Sequence, residues 1–86
     1  MKSHTTPRFR KLLANLPHEI RRQARQAYRQ FQENPGQTGL FFKELKSKPG
    51  VWSARINDNY RALGVRDGDE ITWVWIGSHR EYEKRT

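Results

Sequence analysis

The chain contains no cysteine and only one methionine in 86 residues. Disulfides, thiolate zinc sites and iron–sulfur clusters are therefore excluded. No apolar run approaches the ~20 residues that a membrane-spanning helix requires. No hydrophobic segment follows the basic N-terminus as a signal peptide would demand. These absences favour a cytoplasmic protein. Acidic residues are scarce as well: nine Asp and Glu stand against seventeen Lys and Arg, a formal net charge of +8. Such an excess repels itself in the folded state. It points to an anionic partner, with nucleic acid first and an acidic protein second.

Hydrophobic residues make up 34% of the chain and charged residues 30%, which is polar yet still compatible with folding. Eighty-six residues predict a single domain, 1–86, whose core is near the lower limit for independent stability. Bulky rings must fill it, and three Trp, three Tyr and four Phe are available.

The N-terminal third has helical periodicity. Thr5 and Thr6 are suited to capping, and Pro7 suits a first helical position. Phe9, Leu12, Leu13 and Leu16 follow at amphipathic spacing. Pro17 breaks this helix and opens a second one. Ile20, Ala24, Ala27, Tyr28 and Phe31 mark its buried stripe, and Asn34-Pro35-Gly36 ends it. A helical hairpin is expected. Arg21, Arg25 and Arg29 repeat every four residues on the opposite face, beside Arg22, as a ridge able to dock an acidic partner.

After Gly39 the period changes. Leu40 to Leu45, Val51 to Ile56, Tyr60 to Val65 and Ile71 to Ile76 are short β-branched or aromatic runs. Lys48-Pro49-Gly50, Asn57-Asp58-Asn59 and Asp67-Gly68-Asp69 separate them at hairpin length. The expectation is an α+β fold: an N-terminal helical hairpin on one face of a four-stranded antiparallel sheet, with a short C-terminal helix.

Chemistry concentrates late in the chain. Trp73-Val74-Trp75-Ile76 runs through Gly77 into a polar tail carrying His79 and Tyr82. Residues three apart on a helix share a face, so imidazole and phenol can approach one substrate atom. Histidine is the residue type that exchanges protons near neutral pH. Arg55 and Arg61 flank a short connection and should be neighbours on adjacent strands, although the turn register decides their faces. Lys43, Lys46 and Lys48 extend the positive charge and are candidate RNA contacts. Trp52, Trp73 and Trp75 read as core rather than as base-stacking surfaces. His4, His18 and His79 lack a metal-ligand pattern, and Asp67, Asp69 and Glu70 read as a hairpin turn.

Phe42-Lys43-x-Leu45, Trp52-Ser53-x-Arg55-Ile56, Tyr60-Arg61-Ala62-Leu63 and Trp75-Ile76-Gly77-Ser78-His79-x-x-Tyr82 resemble, in order and spacing, the RelE/ParE superfamily of type II toxin–antitoxin toxins. The resemblance covers nearly the whole chain and is nearest to the HigB-like and RelE-like branch. It implies a ribosome-dependent, metal-independent mRNA endonuclease that needs no cofactor and is inhibited by an antitoxin encoded nearby. By position, it implies Arg61 at the scissile phosphate, Arg55 as a basic catalytic residue, and His79 and Tyr82 as the terminal proton-handling or stacking pair. Glu81 and Glu83 are rival bases. The antitoxin is expected on Arg21, Arg25 and Arg29. The first strand usual in such toxins is expected to be missing, or reduced to a few residues around His4 to Thr6. The alternatives are a ParE-like inhibitor of DNA gyrase that cuts no nucleic acid, and an inactive relic of the family.

Overall fold

The computed structural model describes residues 1–86 and contains five strands and three helices. They run β1 Lys2–Thr5, α1 Pro7–Ala14, α2 His18–Glu33, β2 Lys43–Glu44, β3 Val51–Arg55, β4 Tyr60–Asp67, β5 Glu70–Ser78 and α3 His79–Arg85. The sheet order is β1-β5-β4-β3-β2. No helix is long and apolar enough to cross a membrane.

Two local rules start the helices. The Thr6 hydroxyl accepts the Phe9 N–H at 3.1 Å, and Pro7 occupies the first turn of α1. Ser78 caps α3 by accepting the Glu81 N–H at 3.2 Å. Helix α2 presents Ala24, Ala27 and Phe31 to the core. They meet Phe9 of α1 and Ala54, Ala62, Ile71, Trp73 and Ile76 of the sheet in one buried cluster. Phe31 stands edge-on to Trp73 at 5.3 Å and to Phe42 at 5.0 Å, the offset geometry that aromatic quadrupoles favour.

The sheet departs from the four-stranded antiparallel expectation. It is five-stranded and mixed, because β1 pairs in parallel with β5. A strand reading Lys-Ser-His-Thr carries no apolar alternation and so gives no periodic signal. It is held instead by backbone pairing and by the Trp73 indole N–H, which donates to the Ser3 hydroxyl at 3.0 Å. The run Leu40 to Leu45 also differs from expectation. Its first part closes a 3-10 turn, Thr38–Leu40, and only Lys43–Glu44 pairs as a strand. Phe41 breaks the run in a left-handed conformation, φ 45° and ψ 45°.

A bulge decides which way β5 faces. Leu63 pairs with Trp75 and Gly64 with Trp73, so Val74 is an extra residue. The extra residue reverses the alternation. Trp73 and Ile76 both reach the helix-side cluster, whereas Trp75 joins Leu45 and Leu63 in a second, smaller one. Tyr82 of α3 packs against that second cluster.

Candidate functional site

The face of the sheet away from α1 and α2 carries the polar chemistry. Ala54 and Ala62 face the helices, so their strand neighbours Ser53, Arg55, Arg61 and Leu63 take the other face. Cross-strand register aligns Lys43 with Ser53, Ser53 with Leu63, and Arg55 with Arg61. Two arginines directly opposite each other on adjacent strands repel, and such pairs are destabilising. A local conflict of this kind is expected at functional sites.

The turn between β3 and β4 sets the arginines. The Asn57 side-chain oxygen accepts the N–H groups of Asn59 and Tyr60 at 2.8 and 2.9 Å, forming a compact Asx-type turn. Arg61 donates to the carbonyls of Asn57 and Tyr60 at 2.5 and 3.0 Å. It makes no ion pair with a carboxylate, so its charge is uncompensated. Arg55 differs, since its guanidinium pairs with Asp58.

The same turn anchors α3. The His79 backbone N–H donates to the Asn59 carbonyl at 2.6 Å, which brings the start of the last helix beside the arginines. His79 and Tyr82 share a helical face as their spacing predicts, with rings stacked at 5.8 Å and tilted by 21°. His79 Nε2 lies 2.7 Å from a Glu83 carboxylate oxygen, one turn further along. Its Nδ1 is buried with no hydrogen-bond partner.

These elements enclose a cleft of about 300 Å³ lined by Phe41, Lys43, Ser53, Arg55, Arg61, His79 and Tyr82. Arg55, Arg61, His79, Tyr82 and Lys43, drawn from three strands and a helix, thus meet at one place. Lys46 and Lys48 do not line it; they are exposed in the β2–β3 connection. Phe41, Ser53 and Glu83 complete the surroundings. Ser53 is the buried polar residue of the fold, at 3% exposure. Strand alternation puts it on the same face as Arg55, whereas no sequence signal distinguishes Phe41. Trp73 and Trp75 are core, and Trp52 is half-buried against Phe42 and the Arg66 guanidinium.

The three arginines of α2 lie elsewhere and do not form a uniformly solvated face. Arg21 is half-buried and donates weakly to the Ala14 carbonyl at 3.4 Å. Arg25 and Arg29 are exposed at the border of a larger cleft of about 410 Å³ between α2 and the sheet, lined mainly by hydrophobic side chains. That cleft is larger than the polar one but contains neither histidine nor carboxylate, and most of its lining belongs to the core cluster.

The profile of the ParE-like toxin domain matches residues 18–84. Solved structures share the fold at low identity. The RelB–RelE antitoxin–toxin complex from Methanococcus jannaschii superposes with a TM-score of 0.76 at 19% identity, covering 95% of this chain and 96% of that one. YafQ from E. coli gives 0.74 at 10% identity, covering 94% and 96%. The toxin–antitoxin complex RelBE2 from Mycobacterium tuberculosis gives 0.70 at 22% identity, covering 91% and 96%. A search of curated protein sequences gives no match. The chain belongs to the ParE-like toxin domain family, among the RelE/ParE toxins of toxin–antitoxin systems.

Proposed function

We propose that this toxin is an endoribonuclease that cleaves mRNA on the ribosome. The observation that supports this reading is the gathering of Lys43, Arg55, Arg61, His79 and Tyr82 around one cleft. In the proposed reaction the 2′-oxygen of the RNA attacks the adjacent phosphorus. The bond from phosphorus to the 5′-oxygen breaks, leaving a 2′,3′-cyclic phosphate and a 5′-hydroxyl. The proton released by the 2′-hydroxyl passes to the His79–Glu83 pair, whose members are in contact. Tyr82 supplies a proton to the departing 5′-oxygen. Arg61 has no carboxylate to compete with the phosphate, and its fork pairs with two phosphate oxygens. Lys43 and Arg55 add positive charge where negative charge develops, the term that most lowers such barriers.

Expression of the toxin should arrest growth and shorten transcripts. Arg61→Ala should reduce cleavage about 100-fold, the scale for losing one preorganised donor to a developing anion, while leaving thermal stability close to wild type. Growth arrest undiminished in Arg61→Ala would remove Arg61 from the site. Its antitoxin, by this reading, is a small protein encoded nearby with an acidic toxin-binding segment. The relatives solved as toxin–antitoxin complexes support such a partner.

The match to the ParE-like profile favours one second reading, inhibition of DNA gyrase without RNA cleavage. Fold alone does not separate these activities. An SOS response with intact mRNA would select gyrase; rapid mRNA loss without DNA damage would select the nuclease.

A further inference from the structure

Phe41 has a strained backbone and an exposed ring. It takes φ 45° and ψ 45° and is the one non-glycine residue with positive φ. The position directly after a helical turn commonly adopts this left-handed conformation, and glycine or asparagine is normally found there. In a bulky residue it is strained. The ring is also 58% exposed, the most exposed of the large hydrophobic side chains. Its neighbours do the opposite: Leu40 is 2% exposed, and Phe42 packs against Phe31, Trp52 and Trp73. The left-handed residue therefore turns one phenyl ring outward between two side chains that go inward.

The ring stands at the rim of the polar cleft. The Arg55 guanidinium lies over it, 5.7 Å from the ring centroid, and Arg55 is itself fixed by Asp58. An exposed aromatic face next to Lys43, Arg55 and Arg61 matches the two parts of a nucleotide, a flat base and a charged phosphate. Proteins that bind single strands combine these elements.

We propose that Phe41 is a stacking platform for an unpaired nucleobase of the RNA strand, adjacent to the phosphate held by Arg55 and Arg61. The proposal rests on the endoribonuclease reading of the cleft. The platform is sequence-tolerant, because every base offers a π-face. It holds the strand in register so that one phosphate faces His79 and Tyr82. The strained backbone serves that purpose, because it keeps the ring outside the core.

The test uses purified toxin on translating ribosomes programmed with a defined mRNA, with kcat/KM for cleavage measured beside thermal unfolding. Phe41→Leu keeps apolar bulk and removes the π-face; it should lower kcat/KM about tenfold, within the range for losing one base–aromatic stack. Phe41→Trp should stay within about twofold of wild type. Phe41→Asn is the discriminating variant, because asparagine accepts the left-handed conformation. It should unfold at the same temperature as wild type or higher, yet cleave at least tenfold more slowly. A structural role predicts that activity and stability move together. Wild-type kcat/KM in both Phe41→Leu and Phe41→Asn overturns the proposal while leaving the nuclease reading intact. Unchanged cleavage with weakened antitoxin binding also overturns it and makes the ring a protein contact. Wild-type toxin that cleaves no RNA removes the nuclease reading and this proposal with it.

Discussion

Replacing Gly77 with alanine puts a methyl group where the Trp75 indole already sits. A Cβ built on Gly77 would lie 2.5 Å from Trp75 Cζ2, 2.8 Å from Cη2 and 3.2 Å from Cε2. The contacted atoms belong to a rigid ring, 5% exposed and packed with Leu45 and Leu63, and the Arg85 guanidinium lies over that ring, 5.0 Å from its centroid. The ring has nowhere to swing without repacking the second cluster. Overpacking of this kind costs about 1–3 kcal/mol. At about 4–8 °C per kcal/mol for a domain of this size, Gly77→Ala should lower the melting temperature by roughly 5–20 °C. Gly39→Ala is the internal control. Nothing lies within 4 Å of a Cβ there, and its φ is not in the left-handed region. It should raise the melting temperature by a few degrees, because alanine restricts the unfolded chain by about 0.4–1 kcal/mol. Both are read from circular-dichroism melts at equal protein concentration. A Gly77→Ala protein melting within 2 °C of wild type would refute the packing argument. Tyr82 packs against the same cluster, so Gly77→Ala should also reduce activity in the fraction that remains folded.

Glu83→Gln keeps a hydrogen-bonding partner for His79 but removes the charge. On the endoribonuclease reading it should lower the cleavage rate about 100-fold, and adding His79→Ala should then cost little more, since residues that act as one proton-transfer unit are not additive; fully additive losses in the double mutant would separate the two residues. Replacing Arg21, Arg25 and Arg29 together by Gln should slow antitoxin association and flatten its salt dependence while sparing RNA cleavage, measured by stopped-flow mixing at several ionic strengths; unchanged association would leave the ridge without a docking role. On α2, the hydrogen bond from Arg22 holds the Glu19 carboxyl below its usual range. A depressed carboxylate pKa contributes stability above the unfolded value that disappears as pH falls through the folded value. Arg22→Gln should therefore lower the melting temperature slightly at pH 7 and by progressively less as acid protonates Glu19; an effect that does not shrink on acidification would mean that Arg22 acts through packing alone.

The sequence by itself carried the features that local chemistry enforces. Thr6 as cap and Pro7 in the first turn suit the start of α1, and the apolar spacing from Ile20 to Phe31 defines the buried side of α2. Asn57-Asp58-Asn59 and Asp67-Gly68-Asp69 form turns because of their own side chains and because Gly68 accepts a φ of 59°. The spacing of His79 and Tyr82 brought their rings together through helix geometry alone. Four features were settled only by the folded structure. Strand β1 forms because β5 offers an edge, not because Lys-Ser-His-Thr prefers a strand. The extra residue Val74 exists only in the register between β4 and β5, and it turns Trp75 away from Trp73 against simple alternation. The register of the β3–β4 hairpin sets Arg55 opposite Arg61, a position that the two strands taken singly leave open. Phe41 lay inside an apparent strand, since a run of apolar residues contains nothing about backbone φ. Local sequence fixes dihedral preferences within a few residues, whereas the facing of a side chain depends on the register its strand takes with a partner strand.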